Sequence, residues 1–228
     1  MKVLEVGFIH DLVCSWCPLG HARLAEAIEV LRSEQEIRVR YLPFQLNPQL
    51  SEQGISIRDY FLAGHGWSET RLLQYQQHVT QIAIEAGVII DFNRRRYYYP
   101  TANAHFTLLI SSKFGLQSEM RALLQHAYFA EGQNISQKSL LTGLAVQAGI
   151  PAASFEQCWQ DTRLQQEMSD DMALVQQLQV STVPALLLEG RVITAPPHTD
   201  LLIRLLQRTA MIQQQTGAAN ALYSHSNH

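Results

Sequence analysis

The chain is poor in cysteine, in basic charge and in long apolar runs, and each shortage excludes something. Three cysteines in 228 residues are too few for the disulfide framework on which small secreted domains depend. The fold must therefore rest on its own core, for which 46% hydrophobic residues suffice. Lys and Arg number 17 against 20 Asp and Glu, a net charge of -3. No strong electropositive field follows, which argues against nucleic acid or an anionic membrane as partner. The longest apolar runs fall far short of a bilayer span. Met1-Lys2-Val3-Leu4-Glu5-Val6 has neither an apolar h-region nor a small-residue cleavage site, which predicts a cytoplasmic protein. No internal repeat is evident.

Against that background one stretch stands out: Cys14-Ser15-Trp16-Cys17, followed at once by Pro18. It separates an apolar, strand-like run from a run with helical periodicity. The positive end of a helix dipole and its unpaired N–H groups favour a thiolate over a thiol. At a free pKa of ~8.5 only about 3% of a thiol is anionic near neutral pH, whereas a pKa of ~6 makes about 90% of it anionic. The pattern thus predicts an exposed, nucleophilic Cys14 and a more deeply placed Cys17 that resolves mixed disulfides, with Ser15 and Trp16 tuning the pair. A zinc knuckle would need further ligands at matching spacing. Cys158 stands alone, His10 falls at a strand end and His21 on a helix surface, so no metal site is expected. A purely structural cysteine pair would leave the strand–Cys-x-x-Cys–helix context unexplained.

Val3 to Ile9 reads as a buried strand, Pro18 to Leu31 as a helix, and Ile37 to Phe44 as a second strand. A strand, a helix and a strand in some forty residues make a right-handed crossover with parallel strands. The reactive turn then lies at the carboxyl end of the first strand, where open α/β sheets place their sites. From Ser51 to about Leu178 helical stripes follow one another, closed by Gly87, Gly115, Gly132 and Gly149. In a later helix Cys158 shares a face with Phe155 and Trp159 and reads as a buried core thiol. Arg94-Arg95-Arg96, running into three tyrosines, could grip a nucleic-acid strand but reads as a solvated loop or pocket rim in so acidic a chain. Strand character returns at Val183 to Leu188, with Glu189-Gly190 as a tight turn and Arg191 to Thr194 as the hairpin partner. Thr199 can cap a closing helix. The chain beyond Gly217 is small and polar and is expected to be disordered.

The order strand–helix–strand, helical block, strand–strand–helix resembles the DsbA branch of the thioredoxin-like proteins, and the chain is similar to its FrnE-like oxidoreductases through most of its length. The likeness is carried by Cys14-Ser15-Trp16-Cys17-Pro18-Leu19-Gly20 and by Tyr41-Leu42-Pro43-Phe44-Gln45-Leu46-Asn47-Pro48. Ala104-His105, Ala127-Tyr128-Phe129-Ala130-Glu131-Gly132 and Val180-Ser181-Thr182-Val183-Pro184 extend it. The resemblance implies an α/β, thioredoxin-like fold with an inserted all-helical subdomain. A discontinuous thioredoxin-like domain would span 1–50 and 179–216, the helical subdomain 51–178, and a tail 217–228. It also implies a cis Val183–Pro184 bond beside the dithiol, where backbone groups could receive an extended substrate. Many relatives have Gly-Ala-Gln-Pro where this chain has Thr194-Ala195-Pro196-Pro197, and a second cysteine pair found in some is absent.

The expected function is a protein-disulfide oxidoreductase with Cys14 and Cys17 as catalytic residues. Val183, Pro184, Trp16, His105 and Asn103 are the candidate substrate-binding residues. No cofactor is expected, with glutathione as a candidate co-substrate, and the partner is a protein or small molecule carrying a thiol or disulfide. A monomer and a homodimer are both compatible with the sequence. The same architecture resembles kappa-class glutathione transferases and 2-hydroxychromene-2-carboxylate isomerases, which usually have serine where Cys14 stands. A non-catalytic holdase with incidental thiols is the other alternative.

Overall fold

A computed structural model describes the backbone of residues 3–194 and 198–224 and the side chains of 3–193 and 198–213. Four strands form the main sheet in the order β2-β1-β5-β6. β1 (Leu4–His10) pairs in parallel with β2 (Ile37–Pro43), from Leu4 opposite Ile37 to His10 opposite Pro43. Helix α1 (Cys17–Leu31) makes the crossover between them, as the sequence pattern predicts. On the other side of β1 runs β5 (Ala185–Leu188), antiparallel, and it turns through Glu189-Gly190 into β6 (Arg191–Thr194). β1 is thus a central strand buried on both faces, which is why its sequence is apolar almost throughout.

The pleat sends Leu4, Val6 and Phe8 to one face, where α1 and the closing helix α9 (Thr199–Ser224) cover them through Leu24, Ala27, Leu31, Leu202, Leu206 and Ala210. Ile9, Leu42 and Ala185 cluster separately with Val175 of α8 (Thr162–Gln177). An ion pair between Arg40 on β2 and the buried Asp171 on α8 ties this helix to the sheet. Between β2 and β5 the chain forms α2 (Ile57–His65), α3 (Glu69–Glu85), α4 (Ala102–Ser112), α5 (Gln117–Gln125), α6 (Lys138–Ala148), α7 (Ala152–Gln160) and α8. These helices surround a second core that includes Val79, Ile110, Tyr128, Phe129, Leu141 and Phe155. Leu12, Val13 and Leu19 belong to that core too. The turn between β1 and α1 is therefore held by the helical block, while the strand and helix it joins belong to the sheet.

Several features depart from the sequence pattern. The stripe from Met120 to Tyr128 breaks at Gln125 into a π-helical turn, His126–Ala130, which buries Ala127, Tyr128 and Phe129 together. A short antiparallel pair, β3 (Ile55–Ser56) with β4 (Tyr97–Tyr98), closes the segment around the arginine cluster. Thr199 lies inside the first turn of α9, and its hydroxyl donates to Glu26 of α1 at 2.9 Å. Helix α9 continues past Gly217 to Ser224, where disorder was expected. Ala218, Ala219, Ala221 and Leu222 are strong helix formers, and a single glycine costs about 1 kcal/mol against them. Residues 225–228, and the Ala195-Pro196-Pro197 departure from the resembling family, lie outside the described residues. Among the described residues no helix is long and apolar enough to cross a membrane.

Candidate active site

Both cysteines lie in the turn that leaves β1. The Cys14 N–H donates to the Asp11 carbonyl at 3.2 Å, and the Cys17 N–H donates to the Cys14 carbonyl at 3.2 Å. Trp16 caps α1, and Cys17 is its first residue with Pro18 next, where a missing N–H does no harm. Cys14 thus precedes the helix, and it is not exposed as the sequence suggested: it keeps 7% of its surface and Cys17 4%. The cause is the segment before β5, whose Val183–Pro184 peptide bond is cis. The Cys14 thiol lies 3.5 Å from the Val183 carbonyl, and the buried Pro184 ring packs on Gly20 of α1.

The two sulfurs differ electrically. A hydrogen bond from the Cys17 thiol holds the Cys14 pKa below its ordinary value, helped by the amides of Trp16 and Cys17 and opposed by burial and by Asp11. Burial pushes Cys17 well above the ordinary value, and the neighbouring Cys14 anion pushes it further. The pair is thus asymmetric: Cys14 is the sulfur that more readily gives up its proton, and Cys17 the one that keeps it and hydrogen-bonds its neighbour.

Beneath the cysteines lies a buried polar cluster. The Asp11 carboxylate accepts from the Val13 N–H at 3.3 Å and the Leu46 N–H at 2.6 Å, so it pins the dithiol turn to the segment after β2. His105 on α4 stands 3.8 Å from Asp11 and bonds the Phe44 carbonyl at 3.1 Å, a contact that places the proton on Nε2. His10 packs edge-on to His105, ring centres 5.1 Å apart, and burial keeps it neutral by lowering its pKa well below the ordinary value. His21 bonds the Tyr41 hydroxyl at 2.7 Å, and burial lowers its pKa to about 3. It is half-buried where a surface position was expected.

The remaining candidates are placed as follows. Trp16 is half-buried with its ring 6.1 Å from that of His78 on α3. Asn103 donates to the Ser136 carbonyl at 2.8 Å within the helical block, so its amide is engaged there; among the described residues His105 meets the dithiol turn through Asp11. Cys158 is partly buried against the helical core, less deeply than expected, on a short helix with a single fully buried position.

Sequence reasoning missed Arg95. Arg94 and Arg96 are exposed as a solvated loop requires, but Arg95 between them is 1% exposed. Its guanidinium donates to the Val13 carbonyl at 2.6 Å and to the Ser15 hydroxyl at 2.9 Å, the residues on either side of Cys14. The rings of Phe92, Tyr98, Tyr128 and Phe129 surround it with centres 4.9 to 5.4 Å away. The available signal was indirect. Gly132, at φ +69°, meets the Arg94 carbonyl so closely that a Cβ there would lie 2.1 Å from it, so the Ala127 to Gly132 motif seats the arginine loop.

Comparisons with known proteins agree with this fold. A family model described as DSBA-like thioredoxin domain matches residues 5–207. A probable DsbA oxidoreductase from Streptomyces coelicolor superposes with a TM-score of 0.82 at 20% identity, over 90% of this chain and 89% of that one. A cytosolic disulfide reductase, DsbM from Pseudomonas aeruginosa, solved with GSH, superposes at 0.59 with 20% identity, over 93% and 99% of the two chains. An uncharacterized protein of Bacillus subtilis, YwbO, is 25% identical over 193 residues, 84% of this chain and 90% of its own.

Proposed function

We propose, from the premise that the chain belongs to the DSBA-like thioredoxin domain family, that it is a thiol–disulfide oxidoreductase acting through a mixed disulfide on Cys14. The observation that carries the reading is the electrical asymmetry of two adjacent sulfurs, Cys14 favouring its anion and Cys17 its thiol, beside the Val183 carbonyl. As a reductase, the Cys14 thiolate attacks a substrate disulfide and forms the mixed disulfide while one substrate sulfur leaves as thiolate. Cys17 then loses its proton, attacks the Cys14 sulfur and expels the second substrate thiolate. Two electrons have passed to the substrate, and the protein holds the Cys14–Cys17 disulfide. As an oxidase it runs the same steps in reverse.

The substrate is a protein or small-molecule thiol or disulfide, with glutathione as a co-substrate, and the setting is the cytoplasm. The DsbM neighbour, cytosolic and solved with GSH, supports the last two points. Within the same family the FrnE-like branch fits the motif spacing best. The deciding experiment is trapping. Cys17→Ser should accumulate a covalent glutathione or client adduct on Cys14, visible by mass spectrometry without reductant, and Cys14→Ser should not. Equal trapping by both variants defeats the reading. Glutathione-dependent isomerase or transferase activity surviving in the double serine variant would favour the serine-type relatives instead.

A further inference from the structure

Arg95 is an arginine taken out of water with no carboxylate bonded to it: among the described residues its guanidinium donates to the Val13 carbonyl and the Ser15 hydroxyl, the Tyr128 hydroxyl lies beside it, and its Nε has no partner. A buried cation of this kind is destabilising unless an anion faces it. The tyrosines around it do not serve. Burial pushes Tyr128 up to about 12 and raises Tyr98 and Tyr75 as well, so all three are neutral near pH 7. Asp11 is committed to the amides of Val13 and Leu46 and to His105. The group left in the turn that Arg95 grips, and able to carry negative charge, is Cys14.

We propose that Arg95 is a positioning residue whose buried guanidinium is the counter-charge of the Cys14 thiolate, so that reducing the dithiol pairs a cation that oxidising it leaves alone. The inference rests on the oxidoreductase reading and deepens it: Arg95 makes the protein's disulfide more oxidising than the same dithiol would be without the cation. Reduced, the pair carries one thiolate and one thiol. Reaction with glutathione disulfide and one proton converts it to the Cys14–Cys17 disulfide and two glutathione thiols, and the negative charge beside Arg95 disappears. Whatever stabilises the thiolate opposes that step and raises the reduction potential. Arg95 enters from the loop before β4; among the described residues the other titratable or charged groups near the turn are Asp11, Cys17 of α1, Tyr75 and His78 of α3, Tyr98 of β4 and Tyr128 of the π-helical turn, with His10, His21 and Arg121 lining the cavity that Asp11 and Cys17 share. Asp11 acts against the thiolate, opposite in sign to the arginine.

The test is a pair of measurements on wild type, Arg95→Lys and Arg95→Met: the pH titration of the thiolate by its ultraviolet absorbance, and the equilibrium with glutathione buffers. Arg95→Met should raise the Cys14 pKa by roughly one unit and make the disulfide about tenfold easier to form, ~30 mV more reducing. Arg95→Lys keeps the charge and should stay nearer the wild type in both, even where the lost fork lowers its melting point. Folded Arg95→Met with wild-type values, or a lysine variant displaced as far as the methionine one, overturns the proposal. Should Arg95→Met fail to fold, Arg95→Gln takes its place: the neutral amide should shift both readings in the direction given for methionine, and wild-type values in folded Arg95→Gln overturn the proposal. Failure of glutathione disulfide to form any Cys14–Cys17 disulfide in the wild type would instead sink the oxidoreductase reading.

Discussion

Gly20 offers the sharpest test of how the site is assembled. It closes the first turn of α1, one face of which carries the Pro184 ring. A Cβ built there falls 2.7 Å from Pro184 Cγ and 3.1 Å from Pro184 Cβ, against an ordinary carbon separation of about 3.5–4.0 Å. Two effects oppose each other in Gly20→Ala. Alanine favours the helix by about 1 kcal/mol, while overpacking a closed site costs about 1–3 kcal/mol. Pro184 is a ring that cannot rotate away, so the steric term belongs at the upper end and wins by about 2 kcal/mol. For a chain of this size that lowers Tm by about 4–8 °C. The proline segment should also move off the helix and carry the Val183 carbonyl from its 3.5 Å contact with Cys14. Dithiol exchange should then slow on the order of tenfold, since displacements near one ångström are felt that strongly in positioned reactions. Calorimetry and stopped-flow exchange with glutathione disulfide measure the two effects. A variant that melts at or above the wild type and exchanges at the same rate refutes the packing argument.

Further outcomes follow from the same geometry. Cys14 has its folded pKa depressed, so its contribution to the stability of the reduced protein is lost as pH falls through that value and grows up to the ordinary thiol pKa of 9.0. The stability difference between reduced wild type and Cys14→Ser in urea should widen with pH over that window and then level off, and a flat difference contradicts it. Cys17 has the opposite sign: raised in the fold, it should make the reduced protein lose stability above pH 9.0, and Cys17→Ala should lack that loss. Asp11→Asn removes a like charge that raises the Cys14 pKa, so the thiolate should titrate at lower pH, while losing the charged acceptor of the Val13 and Leu46 amides lowers Tm. A thiolate titrating higher in that variant would show the carboxylate acting otherwise. Gly132→Ala sets a Cβ 2.1 Å from the Arg94 carbonyl at a φ of +69°; backbone cannot yield as a side chain does, and soluble expression or Tm should fall further than in Gly20→Ala.

The relation between sequence and site can be followed residue by residue. The strand–turn–helix around Cys14 and Cys17 is legible because its signals are local: apolar residues in β1, a Pro at the second position of α1, and leucines at helical spacing behind it. The β5–β6 hairpin is legible for the same reason, since Glu189-Gly190 between two apolar runs specifies the turn. The depth of Cys14 is a different kind of fact. It depends on a proline 170 residues further along being laid over the turn, which no spacing within the turn records. Arg95 shows the limit most clearly: three consecutive arginines look alike in the chain, yet one is enclosed by rings from α5's π-helical extension and from β4 while its neighbours stay in water.

By itself the sequence determined the Cys-x-x-Cys turn, the strand and helix that hold it, and the family pattern that joins the first and last strands, because periodicity and turn chemistry act over a few residues. Only the tertiary structure decided how far each sulfur is from solvent, and which buried guanidinium bonds the residues on either side of Cys14. Burial is a property of the groups that surround a side chain, and here several of those groups come from distant parts of the chain, the Val183–Pro184 segment and the Arg95 loop.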